Sequence, residues 1–589
     1  MKTRCAPSLS IARPRRQNED FCQLARRNTE GAANKKESSI MKRLKRWLFL
    51  QAAIFGCLAY RLSAQPVTPN DPQFSLQWHL GRIGATNAWG VTTGGTNIVV
   101  AVIDTGVDYT HPDLAANMWR NPGETGVDAN GNDKATNGID DEGNGYVDDV
   151  HGANVTDGTE DTMDVPYFYP SAPPSYHGTF WAGIIGAVGN NGVGVAGLNW
   201  SVQMMAVRFG GGDATDLKGN SDFPFYSDIV ASFKYVLMMK RRGVNIRVVS
   251  ASLYSFIPGK ELEEILSELD REGVLSIFAA GNERLDFDLY SGFPGCFNLS
   301  SLLVIANSTR TDALNAVSPT AGSNFGASTV DIAAPGTDIL STTKGVGYTT
   351  KTGTSFSCPL VAGAAALLLS ADPNLTVDQL KAALFGSVDQ SAALKGKVMT
   401  NGRLNVFRAL QYLTNSSPPA IVITALPAGQ RTATNFPIQA TFNRPMNRAS
   451  VESALVIQPP LAGTFAWTNG DRSFAFHHDT PFDPTTNYTV RILGTAQDVE
   501  HGTLDGDFDR TREGSPADDF VWTFRFPVPN DDFANAQLLA GTSGQFDGNN
   551  RYATWDVTEP QSVERGAQIR GNTVWYRWTS PESGGLLHV

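Results

Sequence analysis

Asn97-Ile98-Val99-Val100-Ala101-Val102-Ile103-Asp104-Thr105-Gly106 is an apolar run that ends on a carboxylate and a turn. A strand with no polar alternation is expected where helices cover both faces of a parallel sheet. Ligands of open α/β sheets gather beyond the carboxyl ends of the strands, so Asp104 stands where chemistry is carried out. Similar runs recur at Met204–Arg208, Ile246–Leu253, Val274–Ala280 and Leu302–Ala306. Helical patterns at Asp228–Met239, Glu261–Arg271, Thr376–Leu384 and Leu404–Leu413 alternate with them, and Thr376 and Gln379 have capping-box spacing. From Gln65 to Thr414 the expected fold is therefore α/β, a parallel sheet with helices on both faces.

Three more segments share the character of the first. His177-Gly178-Thr179 and Gly353-Thr354-Ser355 each open a helical pattern, and Ala279-Ala280-Gly281-Asn282 closes a strand. A serine nucleophile needs an imidazole to take its proton and a buried carboxylate to orient that imidazole. Asp104, His177 and Ser355 supply one of each. Ser355 at a helix N-terminus offers backbone N–H groups to a developing oxyanion, and the Asn282 amide is a second donor. Pro359 is expected in the first turn of that helix, where its missing N–H is harmless. Of the other histidines in the α/β region, His111 sits in a His-Pro-Asp turn and His79 and His151 lack a helix start or small-residue context, so all three read as structural or surface.

Rival chemistries fail on specific counts. A second Asp-Thr-Gly or Asp-Ser-Gly, which an aspartic peptidase would need, is absent. Ser355 has no Gly-x-Ser-x-Gly elbow, and there is no His-Glu-x-x-His for a zinc peptidase.

The chain has 589 residues, too many for one core. Its first 64 residues hold 14 of the 47 Lys/Arg and 4 of the 58 Asp/Glu, leaving a formal charge of −21 on the rest. So acidic a surface argues against nucleic acid as a partner. Residues 41–64 have a basic start, an apolar run from Trp47 to Leu58 and Leu62-Ser63-Ala64 before a cleavage point. They read as a secretory signal, with 1–40 an upstream extension. A secreted protein with no stable membrane span after signal removal is the expectation, and the interval to Asp71 leaves no room for a folded prodomain. Cys5, Cys22 and Cys57 fall before the cleavage point. Cys296 and Cys358 form either one disulfide or two buried free thiols.

Residues 415–419, Asn-Ser-Ser-Pro-Pro, read as a linker. Beyond them the period changes to two. Phe465-Ala466-Trp467 and Ser473-Phe474-Ala475-Phe476 flank an Asn469-Gly470 turn, and Tyr488–Ile492 follows, so residues 420–527 are expected to form a β-sandwich. With Thr441-Phe442-Asn443-Arg444-Pro445-Met446, this stretch resembles the bacterial Ig-like modules. A partial second β-sandwich is expected over 528–589, from Pro529-Asn530-Asp531-Asp532-Phe533 to the strand Asn572–Trp578, cut short at Val589.

The acidic loop from Asn137 to Asp149 places oxygen ligands at alternate positions ahead of a glycine, with Asp140 and Asn144 among them, as in a calcium loop. The Glu expected at the twelfth position counted from Asp140 is replaced by His151.

From Asp71 to Thr414 the four motifs resemble those of the subtilisin-like serine peptidases, the subtilases, whose Asp, His, Ser order is itself a standard illustration of the triad. The resemblance implies a secreted serine endopeptidase acting through an acyl-enzyme, with Asp104 orienting His177, His177 as base and acid, Ser355 as nucleophile and Asn282 in the oxyanion site. It implies protein or peptide substrates, no catalytic cofactor, and structural calcium, with Asp113 and Asn191 at ligand positions. Ser252, Leu253 and Tyr254 correspond to one wall of the substrate cleft, where Tyr254 replaces the usual glycine. Phe180 and Leu360 replace two usual histidines that perform no chemistry. The alternative is an inactive subtilase-like domain serving as a surface or binding protein. The sequence does not fix an oligomeric state.

Overall fold

The computed structural model describes residues 65–526, apart from 157, 160, 167–175, 211–225, 256–258, 291, 298 and 431–433, together with four short strands beyond residue 536. The expected upstream extension and signal lie outside the described residues, as does most of the second β module. Of that module's expected last strand, Tyr576–Trp578 is described, paired in parallel with Gln537–Leu539.

Among the described residues, nine strands form the main sheet: β1 Gly94–Asp104, β2 Gly152–Asn154, β3 Ser201–Arg208, β4 Ile246–Ala251, β5 Leu275–Ala279, β6 Leu302–Ser308, β7 Ile332–Pro335, β8 Asp389–Gln390 and β9 Gly402–Arg403. Their order is β8-β9-β7-β6-β5-β4-β1-β3-β2, and every pairing is parallel except β8–β9. After β1 the chain lays the edge strand β2, inserts β3 between the two, then crosses to lay β4 on the other side of β1. This makes the end of β1 a topological switch point, and Asp104 is its last residue.

Alternation along β1 explains its unbroken apolar composition. Ile98, Val100 and Val102 enter one core with α1 Gly178–Gly186 and α4 Thr354–Ala371, and Val99, Ala101 and Ile103 enter the other with α2 Tyr226–Arg241 and α3 Lys260–Arg271. Helix α4 is apolar and long enough to cross a membrane, but it is the buried central helix of this core. Helix α5 Val377–Phe385 carries the expected capping box of Thr376 and Gln379, and α6 Val406–Tyr412 ends the α/β region.

Pro359 is in the second turn of α4 and not the first, because the helix begins at Thr354. Its missing N–H releases the carbonyl four residues earlier, Ser355 O. The Ser252 hydroxyl, just beyond β4, donates to that carbonyl at 3.0 Å. A structural cost of the proline thus becomes a tie between the start of α4 and the end of β4.

The second region has two four-stranded sheets. One orders β10 Val422–Leu426, β12 Ile438–Phe442, β15 Ser473–His478 and β14 Gly463–Thr468; the other orders β11 Gly429–Gln430, β17 Phe520–Arg525, β16 Tyr488–Ile492 and β13 Leu455–Gln458. Burial alternates along β12 and β16 as the period of two requires. Residues 415–417 are exposed, yet the two regions are packed together. Buried Lys381 of α5 donates to Thr424 Oγ1 at 3.0 Å, Asn443 donates to the Tyr412 hydroxyl at 2.8 Å, and Ala420, Ile421 and Val422 join the core of the first region.

Candidate active site

Asp104 and His177 meet because two glycines let their segments approach. A Cβ on Gly178 would stand 2.0 Å from Gly106 O, and Gly106 itself has φ +101° with Thr162 O 2.5 Å from where its Cβ would be. His177, the residue before α1, then brings Nδ1 to 3.2 Å from Asp104 Oδ2. Asp104 is 2% exposed and the imidazole 27%, so the carboxylate is sealed while the ring reaches solvent. The ring lies 4.5 Å from the Trp181 ring one turn on, and 5.8 Å from that of Phe356, the neighbour of Ser355. Ser355 is half-buried in the first turn of α4.

Asn282 lies three residues past the end of β5, so β1, β4 and β5 deliver Asp104, Ser252 and Asn282 to one edge of the sheet. The Thr354 N–H donates to Asn282 Oδ1 at 2.9 Å, and the Thr354 hydroxyl approaches it at 3.2 Å. An acceptor role for Oδ1 leaves the NH₂ to donate. The amide is thus oriented by the residue preceding Ser355. Tyr254 donates its hydroxyl to Glu283 Oε1, which fixes the phenol beside the residue following Asn282. Ser252, Leu253 and Tyr254 are all half-buried.

Two residues that the motifs do not reveal complete the surroundings of Asp104. Its Oδ1 accepts from Thr105 N–H at 2.6 Å and lies 2.9 Å from Thr105 Oγ1, which is itself 2.7 Å from Asp164 Oδ1. One hydroxyl proton cannot serve two carboxylates. Burial, reinforced by the charge of Asp104, pushes Asp164 up to about 6 against the pull of Thr179 and Thr105. Below about pH 6 a neutral Asp164 resolves the conflict: it donates to Thr105 Oγ1, and Thr105 donates to Asp104. Two lysines stand nearby: Lys344 donates to Asp164 O at 2.7 Å, and the Lys351 ammonium donates to Tyr176 O at 3.0 Å and acts on both carboxylates. A raised carboxyl pKa stabilises the folded state below about 4, and this stabilisation is lost as pH rises through about 6. Asp164→Asn retains the donor and removes the titration. Urea unfolding at pH 5 and pH 8 should show a flatter pH dependence for the variant, which becomes the more stable form at pH 8, with each pKa unit worth about 1.4 kcal/mol. Equal slopes in the two proteins would show Asp164 ionised throughout.

The other histidines are structural. His79 is buried and pushed down to about 3 by burial, His111 Nδ1 accepts from Asp113 N–H, and His151 Nδ1 is 3.0 Å from Trp119 O. Cys296 and Cys358 are buried thiols with no disulfide between them, which settles the alternatives left by the sequence. Burial pushes Cys358 up to about 12, so it is inert despite standing three residues from Ser355.

Within the α/β region, two donor sets could hold a cation. Asn191 Nδ2 donates to Asp113 Oδ1 at 2.8 Å, and the nearby Asp71 carboxyl, raised by burial and by the charge of Asp113, has a buried Oδ1 without a partner. In the acidic loop, Asp140 spends its oxygens on the N–H groups of Asn144 and Gly145. The tighter group there is Glu124, Glu142 and Asp149, one carboxylate oxygen of each lying within 4.8 Å of the others, with Asn144 Nδ2 donating to Glu142 and Asp149. Glu124 is fully buried, and Oε2 of both Glu124 and Glu142 lacks a partner.

The subtilase family model matches residues 95–408, more than half of the chain, and a bacterial Ig-like domain model matches residues 415–525. The chain belongs to the subtilase family. This subtilase is 30% identical over 367 residues to subtilisin-like protease 1 of Plasmodium berghei, covering 59% of this chain and 55% of the other. It is 28% identical over 346 residues to thermitase of Thermoactinomyces vulgaris, covering 59% of this chain and 100% of the other. An extracellular protease of Xanthomonas campestris is 30% identical over 329 residues, 52% of this chain and 50% of its own. The chain therefore spans about half the length of the Plasmodium and Xanthomonas relatives.

Proposed function

We propose that this subtilase is a secreted serine endopeptidase acting on protein or peptide substrates. The observation that carries the reading is the 3.2 Å contact of His177 Nδ1 with the sealed Asp104 carboxylate, beside the helix start that holds Ser355. Ser355 Oγ attacks the peptide carbonyl as His177 Nε2 takes its proton. Asp104 holds the Nδ1–H tautomer and stabilises the imidazolium. The Asn282 amide and the Ser355 N–H receive the oxyanion. His177 then protonates the leaving amine, and water releases the acyl group by the same route. Export accords with the extracellular protease of Xanthomonas among the relatives. The test is covalent labelling by a fluorophosphonate probe with mass spectrometry of the adduct. An adduct on Ser355 is expected, and folded, calcium-supplied protein that fails to label would overturn the reading.

Structural calcium fits the two donor sets, because orphaned carboxylate oxygens sealed from water call for a cation. Asp71, Asp113 and Asn191 would hold one ion, and Glu124, Glu142 and Asp149 another, each bracing its loop. Burial pushes Glu124 up to about 7 and Asp149 to about 6. Without metal, the stability these groups contribute is present below about 4 and lost as pH rises through 6 to 7. With metal, the ion replaces the protons, so its stabilisation grows over the same window. Thermal unfolding at pH 8 should therefore show a midpoint higher in calcium chloride than in EDTA, by roughly 5 °C or more, since one site at a hundredfold Kd is worth about 2.7 kcal/mol. The gap should shrink at pH 5. Identical midpoints at pH 8 would remove both sites.

A further inference from the structure

The loop between β16 and β17 carries Asp505, Asp507 and Asp509 at alternate positions and brings Asp518 back to them. One carboxylate oxygen from each of the four lies within 4.8 Å of the others. Asp505 is 1% exposed and Asp518 fully buried. Asp518 Oδ2 accepts from Gly514 N–H at 2.6 Å, while its Oδ1 is sealed from solvent with no partner at all. Lys395 and Arg510 are the basic groups nearby, and neither forms an ion pair with the cluster; Arg510 spends a guanidinium N–H on Val388 O.

Converging carboxylates with a buried orphan oxygen are costly unless a cation neutralises them. The donors are all oxygens on a single loop with two-residue spacing, which suits calcium. Zinc would call for His or Cys, and magnesium for a near-ideal octahedron that keeps its waters.

The loop also touches the α/β region. Asp507 O accepts from Gln390 Nε2 at 2.9 Å, the Phe508 ring stands edge-on to Phe385 of α5 at 6.4 Å, and Arg510 reaches Val388 O, while within the module Asp505 N–H donates to Ala420 O at 2.8 Å, just past 415–419. We propose that Asp505, Asp507, Asp509 and Asp518 bind one calcium ion, which braces the Ig-like module against the subtilase domain. The site is independent of whether the enzyme hydrolyses peptides.

The test compares the full chain with an Asp507→Asn/Asp509→Asn double variant, both positions being half-buried. Equilibrium dialysis against calcium chloride should find one fewer calcium per chain in the variant, with an unchanged near-UV circular dichroism spectrum. The same number bound by a natively folded variant overturns the site. Calcium should also slow protease nicking at 415–419 in the wild type and not in the variant; equal protection in both overturns the brace. Should the variant fail to fold, crystals of the wild type soaked in terbium chloride decide. An anomalous peak among the four carboxylates supports the site, and terbium bound elsewhere but not there overturns it.

Discussion

Ser355→Ala is expected to lower kcat for a peptide substrate by about 10⁶, with KM nearly unchanged. That magnitude is measured on subtilisin, a member of this family, and is carried over on that ground rather than deduced from the geometry. What the geometry supplies is the reason for expecting a clean loss. The Ser355 backbone carbonyl, which receives the Ser252 hydroxyl in place of the N–H that Pro359 lacks, is untouched by removing Oγ. Alanine is also the better helix former, so the thermal midpoint should hold or rise slightly. A stable variant with more than about one per cent of wild-type activity would remove Ser355 from the nucleophile's role. Wild-type protein with no activity and no probe adduct, but with retained affinity for a target, would instead favour the binding-protein alternative.

The parts of this site legible in the sequence are those whose local segment carries its own reason. Asp104 ends an apolar strand, and His177 and Ser355 open helices with small neighbours. Asn282 follows a strand, so period and punctuation mark these positions as candidates, with Ser355 resting besides on its Gly-Thr-Ser context. The strands were legible for the same reason, since β1, β4 and β5 are buried on both faces and read as apolar runs. Asp164 was not legible, because it comes from an irregular segment and acquires its role by meeting Thr105 in space. Glu124 and Glu142 likewise converge through loop geometry, whereas the alternating pattern drew attention to Asp140, whose oxygens serve its own turn. Pro359 was placed one turn early because the helix boundary, the least certain feature of any pattern, lies at Thr354. The 415–419 segment, exposed at 415–417, reads as a break in pattern. It cannot disclose that Lys381 and Thr424 meet across it, since a lysine in a helical pattern gives no sign of being buried.

Asn282→Ala should lower kcat by about 10² to 10³ while leaving KM within about threefold, the lower-order effect again being known from subtilisin. The split between the two constants follows from what the amide can touch. A ground-state carbonyl oxygen is a weak acceptor outside the oxyanion position, so the Asn282 NH₂ gains its interaction mainly as charge develops, and only such interactions raise kcat. The side chain has a second duty that the same variant disturbs, because its Oδ1 accepts the Thr354 N–H at the mouth of α4. Asn282→Asp separates the two. It keeps the acceptor that holds Thr354 but replaces the donor with a carboxylate that repels the oxyanion. If donation to the oxyanion is what matters, the aspartate variant falls at least as far as the alanine variant, although its Thr354 contact survives. If positioning of Thr354 is what matters, the aspartate variant retains most of its activity and Asn282 is a positioning residue. Measured kcat for the two variants, at a pH where the introduced carboxyl group is ionised, decides between these.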